Sequence, residues 1–141
     1  MVKSPQNAVD SVLITPTAAA TTALTARLDC KDAHYATVRV ALGAELNTNS
    51  TNVSVSLLES DDTVVTNFAT FDADFTRTVD NTAATVATSH VDLEGRKRYL
   101  RLVVTPDTTT NGPVTIAAVG SLLKSVRSGT ASDFGGSVVR G

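Results

Sequence analysis

At 141 residues the chain has the length of one domain, and a hydrophobic share of 42% against 18% charged supplies enough apolar surface for a core. This composition excludes the disordered and collagen-like classes, and a net charge of −2 carries no global nucleic-acid signature. Thr (22), Val (19) and Ala (18) dominate and Trp is absent. The first two are stiff at the first side-chain torsion and suit a pleated sheet. The scarcity of aromatics argues against a platform for stacking bases or sugars.

Residues 1–7 are polar. Val9 to Thr15 reads as a first short strand, with Val12 and Ile14 inward and Pro16 closing it. Leu24, Ala26 and Leu28 alternate and give a second strand, which runs into Asp29 and Cys30. Lys31-Asp32 is a turn. His34 to Leu42 is a long strand with His34, Ala36, Val38, Val40 and Leu42 on one face, ended by Gly43. Asn47 to Asn52 is a polar loop with Asx-turn chemistry.

Val53, Val55 and Leu57 alternate with serines in a fourth strand. Ser60-Asp61-Asp62 then makes a tight turn into a strand from Thr63 to Phe71, a hairpin signature. Asp72 to Asp80 fits no element cleanly, and Phe75 within it suggests a plug under a loop. Thr82 to Val91 reads as an edge strand with Ala84, Val86 and Thr88 on one face. The clearest strand follows, with Leu100, Leu102 and Val104 on one face and Tyr99, Arg101, Val103 and Thr105 on the other. Glu94-Gly95 and Pro106-Asp107 punctuate its ends. Pro113 to Leu122 is the last strand, with Val114, Ile116 and Ala118 inward.

About eight short strands at intervals of roughly 8–12 residues, with no room for crossover helices, predict an all-β fold. The expected architecture is an antiparallel β-sandwich of jelly-roll type, with an immunoglobulin-like sandwich as the alternative. Composition changes after Leu123: residues 124–141 hold four glycines, four serines and three cations. The expected division is therefore a sandwich over 1–123 and a flexible C-terminal tail over 124–141.

No constellation specifies a reaction, so the chain is expected not to be an enzyme and to need no cofactor. His34 and His90 have no sequence-local partners at metal-ligand or catalytic spacing, and are read as structural. Cys30 is the only cysteine, which rules out an internal disulfide, leans toward a reducing site of synthesis and fits a small buried hydrophobe. Asp61, Asp62, Asp72, Asp74 and Asp80 lack the EF-hand pattern and read as loop acids, with a cation at an assembly contact as the minority reading. Met1 to Asp10 lacks the apolar segment of a signal peptide. No apolar run approaches the ~20 residues that span a bilayer. The glycosylation patterns at Asn49 and Asn52 accordingly read as chance.

The cations Arg96, Lys97, Arg98 and Arg101 gather in and before the clearest strand. They could grip a phosphate or an acidic protein surface, since a guanidinium suits bidentate contacts. Equally, they could be a solvated turn and outward charges that guard a sheet against edge pairing. In the tail, Lys124, Arg127 and Arg140 with Phe134, Val138 and Val139 are isolated cations and apolar anchors for a partner.

The segment Gly95-Arg96-Lys97-Arg98-Tyr99-Leu100-Arg101-Leu102-Val103-Val104-Thr105-Pro106 followed by Pro113-Val114-Thr115-Ile116, the Thr/Ala/Val-rich composition without tryptophan, and the low-complexity tail resemble small β-rich structural proteins of tailed-phage virions. The likeness is to capsid cement or decoration proteins in particular. It implies a non-enzymatic protein of the virion, assembled in the host bacterial cytoplasm, that binds the outside of a capsid. Its partner would be the major capsid protein, with neither nucleic acid nor membrane involved. It would form a homo-oligomer, a trimer favoured, and bridge capsid subunits. A phage tail or fibre component, or a module that binds a host surface, is the alternative.

Overall fold

The computed structural model describes residues 6–44, 51–79, 83–107 and 113–125. Eight strands run in order: β1 (Gln6–Ala19), β2 (Leu24–Asp29), β3 (Ala33–Leu42), β4 (Thr51–Ser60), β5 (Ala69–Val79), β6 (Thr85–Asp92), β7 (Tyr99–Asp107) and β8 (Val114–Ser125). Among the described residues a single 3₁₀ turn, Val65–Asn67, lies between β4 and β5. One sheet has the order β1-β8-β3-β6 and the other β2-β7-β4-β5, and every pairing is antiparallel. The chain changes sheet at every connection except the β4–β5 hairpin. This is a jelly roll, and its strand order, with β1 beside β8 and β2 beside β7, excludes the immunoglobulin-like alternative.

The core forms where the inward faces meet. Leu100, Leu102 and Val104 of β7 face Val38, Val40 and Leu42 of β3 and Val114 and Ile116 of β8 in one buried cluster. Val53, Val55 and Leu57 of β4 complete the layer, each no more than 1% exposed. Branched residues recur because two pleated surfaces about 10 Å apart leave room for their compact side chains and little rotamer freedom to lose. Gly120 is the one gap in this layer that another residue needs. A Cβ there would come within 3.1 Å of the Leu13 side chain and 3.4 Å of Leu28.

Several expected faces are shifted, and each shift has a local cause. In β1, Val12 is 66% exposed while Ile14 is buried. The β1–β8 register slips between Val12 and Ile14 and again between Ile14 and Thr17. Each slip adds a residue to β1, so Leu13 and Ile14, adjacent in the chain, both pack on the core. Pro16 lies inside the second slip and does not end the strand, because β1 is an edge strand with a free side there. His34 is exposed, not on the core face, at a similar slip between Ala33 and Tyr35.

The expected tight turn after Ser60 is a wider loop over residues 61–68, and the paired strand starts only at Ala69. Asp62 explains the loop. Its carboxylate accepts from the Val64 backbone N–H at 2.9 Å and the Asn67 amide at 2.8 Å, and its own N–H donates to buried Ser60 Oγ at 3.2 Å. The segment after Phe71 is the body of β5, where Phe75 pairs with Val55. The Phe75 side chain lies outside the described part, so the plug does too. β6 is an edge strand as expected, but its outward face is the one with Val86, and Ala87 and Val91 are buried. β8 continues through Lys124 and Ser125, so Lys124 belongs to a strand paired with β1 and β3. Residues 126–141, the rest of the expected tail, lie outside the described residues.

Because Leu102 is 2% exposed between the sheets and Thr105 is exposed, their substitutions should separate. Leu102→Asp places an unpaired carboxylate in the core and should cost more than ~4 kcal/mol, enough to unfold the domain in a thermal melt. Thr105→Asp should melt within a few degrees of the parent.

Candidate functional site

The corner where β6 turns into β7 gathers a cluster of charges. Gly95 has a φ of 74°, a left-handed conformation that glycine adopts without strain, and the Arg96 N–H closes the turn on the Leu93 carbonyl at 3.0 Å. This turn delivers Arg96, Lys97 and Arg98 to the rim of the β2-β7-β4-β5 sheet. There the expected cluster divides.

Arg96 pairs with Glu59 at 3.6 Å and lies over the Phe71 ring at 5.1 Å. The Lys97 backbone N–H donates to the same Glu59 carboxylate at 3.2 Å. Glu59 thus ties the β6–β7 turn to the end of β4, and its side chain is only 14% exposed. Arg98 makes a two-pronged contact with Asp29 of β2, Nε to Oδ1 at 2.9 Å and Nη2 to Oδ2 at 2.8 Å, and also covers Tyr99 at 4.9 Å. The Arg98 fork holds the Asp29 carboxyl down at about 2, helped by the Lys31 backbone N–H and the Lys124 charge, while partial burial opposes it. The same contact raises the Arg98 guanidinium above its ordinary value. The Asn67 amide and Val64 N–H lower the Asp62 carboxyl in the same way.

Arg101 behaves differently. It faces Arg27 of β2 directly across the β2–β7 ladder. No carboxylate among the described residues forms an ion pair with either one. Arg27 instead lies over the Tyr99 ring at 5.8 Å, on which Arg98 also rests. Loop 61–68 rises beside this pair and closes a cleft of about 200 Å³ lined by Thr25, Arg27, Thr63, Val65, Phe68 and Arg101. A second, more polar cleft of about 400 Å³ lies between Phe71, His90, Asp92, Glu94 and Arg96.

Of the residues expected to meet a partner, Arg96 and Arg98 hold internal acids, Arg101 lines the cleft, and Lys124 sits in β8 near Asp29. Arg127, Phe134, Val138, Val139 and Arg140 lie outside the described residues. Arg27 was not singled out by spacing or motif. Its only sequence signal is its place between Ala26 and Leu28, which turns it outward. Its approach to Arg101 depends on a pairing of strands 74 residues apart in sequence, 101 against 27.

The other chemistry-bearing side chains have ordinary positions. Cys30 is buried, and burial pushes its thiol up to about 11, with the neighbouring Asp29 charge adding to the shift. The Thr37 hydroxyl and His90 Nδ1 are 3.1 Å apart across the β3–β6 ladder, on the outward face of that sheet. The groups of His, Cys, Asp and Glu among the described residues include none of three or more that could hold a metal ion.

The outward face of the β1-β8-β3-β6 sheet carries a strip of apolar side chains beside Arg39, which opposes Val119. Val12 opposes Val119, and Ala117 opposes Ala41, which in turn opposes Val86. Val12, Val119, Val86 and Tyr35 are 66%, 45%, 58% and 51% exposed. Among the described residues no helix is long and apolar enough to cross a membrane.

No protein-family model matches the chain, and no curated protein matches it. Solved structures do. A chain in the structure of infectious bursal disease virus, Gx strain, aligns over 88% of this chain and 33% of its own length, with a TM-score of 0.53 at 6% identity. This chain therefore spans about a third of that one. A chain from a structure of Bacillus endospore appendages, described as disulfide-linked pili, aligns over 90% of this chain and 96% of its own with a TM-score of 0.48 at 12% identity. The enzymatically active domain of bacteriophage CBA120 tailspike protein 4 aligns over 83% and 18% with a TM-score of 0.48 at 13% identity. At such identities the likeness to the viral chain is one of fold.

The Asp29–Arg98 contact sets an acid dependence. Asp29 is ionised in the folded state down to about pH 2 but only to its ordinary 3.8 without the contact. Its contribution is therefore present above about pH 4 and lost as pH falls toward 2. The melting-temperature difference between the parent and Asp29→Asn should be largest near pH 5, shrink by pH 2, and diminish in ~1 M salt because the pair is half exposed. An equal difference at pH 5 and pH 2 would remove this pair from the account of the corner.

Proposed function

We propose that this chain is a non-enzymatic structural protein of a virus particle, which docks on the outside of a phage capsid and stabilises it by bridging capsid subunits. The observation that carries the assembly part is the exposed apolar strip Val12, Val119, Ala117, Ala41 and Val86 on the outward face of the β1-β8-β3-β6 sheet. Apolar surface grouped in this way on a sheet face contributes ~25 cal/mol per Å² when a protein neighbour covers it. The jelly roll supports the viral part by analogy, as the virus chain above shares the fold. The segment Gly95 to Pro106, with the composition, supports the cement type.

The mechanics suit the role. A shell under internal pressure pushes its subunits apart. A rigid sandwich that spans a junction opposes this with buried area, and a closed lattice repeats the gain at every junction. A homotrimer of this chain would place three such faces at one junction. Residues 126–141, with Phe134, Val138, Val139, Arg127 and Arg140, would extend the contact with cations and apolar anchors. The buried Cys30 thiol supports the non-enzymatic reading, since a proton held to about 11 leaves no nucleophilic thiolate near neutrality.

Co-sedimentation with purified capsids tests this. The full chain should pellet with capsids at a fixed, saturable ratio, and Val119→Lys should reduce that ratio at unchanged melting temperature. A chain ending at Ser125 should melt within a few degrees of the parent yet attach at least ~10-fold more weakly. Failure of the full chain to pellet with capsids, with pelleting on tail fibres instead, would favour the tail or host-surface alternative.

A further inference from the structure

We propose that the cleft between loop 61–68 and strands β2 and β7 is a receptor site for a carboxylate side chain carried on an apolar stretch of a partner protein. This deepens the assembly reading and rests on it for the source of that carboxylate.

The starting point is an electrostatic imbalance. Arg27 and Arg101 are direct cross-strand neighbours, an arrangement that is destabilising for like charges on one face. Three acids around this corner are already engaged, and Asp61 of the same loop forms no ion pair with either arginine. Asp29 is held by both prongs of Arg98, Glu59 by Arg96 and the Lys97 N–H, and Asp62 by Val64 and Asn67 within its own loop. Tyr99 offsets part of the charge on Arg27 through its ring face. Arg101 has neither a carboxylate nor a ring among the described residues. Two guanidiniums on adjacent strands, with no ion pair to a carboxylate among the described residues, can both donate to the oxygens of one carboxylate.

The walls select what carries the carboxylate. Val65 and Phe68 present apolar surface beside the arginines, and Thr25 and Thr63 add hydroxyl groups. Val64 and Val65, 52% and 59% exposed, extend the apolar surface past the cleft mouth. At about 200 Å³ the cleft admits one side chain and the stem of a neighbour, but not a nucleotide or a sugar chain. The net charge of −2 disfavours a polyanion, which would meet repulsion from the rest of the surface. The wall is also prearranged. The Asp62 bonds to Val64, Asn67 and Ser60 brace the loop without drawing on either arginine.

The test is a nuclear magnetic resonance titration of the full chain with two blocked synthetic peptides, Leu-Glu-Leu and Leu-Gln-Leu, and with inorganic phosphate. The glutamate peptide should shift the Arg27 and Arg101 Nε–H signals and the Thr25 and Thr63 amides. The glutamine peptide should bind at least ~10-fold more weakly, and ~0.5 M salt should release the glutamate peptide. Arg27→Gln/Arg101→Gln should abolish the shifts while keeping or raising the melting temperature, because a repulsive pair is removed. If that double variant is destabilised, Arg101→Lys serves instead and should weaken the glutamate peptide several-fold by losing the fork. Equal responses to both peptides, or none to either, overturn the proposal, as does a response to phosphate alone. Capsid co-sedimentation keeps the two readings apart. A double variant that pellets like the parent and ignores the peptide removes this site while leaving the shell role intact. A parent that fails to pellet but binds the glutamate peptide keeps the site and removes the shell role.

Discussion

Val40, Val55, Leu102, Val104, Val114 and Ile116 lie between two four-stranded sheets, each shielded almost wholly from water. Every other feature of the molecule depends on this shared layer. Neither sheet has a second apolar face well enough covered to be stable alone, so each is a template for the other. β7 and β8 are inner strands of their own sheets, and each is bonded on both sides. Their alternation sets the register of β2 and β4 on one sheet and of β1 and β3 on the other. A one-residue slip in either would turn its apolar residues to solvent.

With the register held, the charges fall into place around it. Leu28, Leu100 and Leu102 point inward, so Arg27, Asp29, Tyr99 and Arg101 share the outward face. The β6–β7 turn adds Arg98 beside Asp29 and Arg96 beside Glu59. The acids at this rim therefore neutralise the turn and not the middle of the sheet. The positive cleft at Arg27 and Arg101 arises from this distribution in a chain whose net charge is negative. The opposite outward face has a different character, with Val12, Val119 and Val86 exposed beside Thr37, Arg39, Thr88 and His90. The two outer surfaces thus differ in chemistry, one with an apolar strip and the other with a cleft lined by Arg27 and Arg101.

Apart from the slip at the start of β3, the irregularities sit at the edges, where they cost least. β1 absorbs two extra residues against β8, and β5 is irregular twice against β4. Both are edge strands. There a bulge breaks a single ladder and also bends the edge away from pairing with another chain. In β1 it has a packing use as well, since it brings Leu13 inward over Gly120.

The all-β class, the eight strands and the inward faces of β3, β4, β7 and β8 were legible in the chain itself. Alternation of Val and Leu with polar residues has a period of two wherever no bulge interrupts it, and these inner strands are mostly regular. Edge strands were misjudged for the same reason: a single inserted residue reverses the phase, which exposed Val12 where an inward residue was expected. His34 left its face at a register slip, and the loop after Ser60 widened because Asp62 bonds forward to Val64 and Asn67. The cluster Arg96 to Arg101 was visible as composition, but its division was not. Whether an arginine meets Asp29, Glu59 or another arginine depends on which distant strands lie side by side. That choice belongs to the burial of the whole apolar layer, which no local stretch encodes. The sequence thus determined which residues could face a core and which could face water. The tertiary structure alone decided which outward charges meet an acid among the described residues and which meet another cation, because only strand pairing brings Arg27 of β2 against Arg101 of β7.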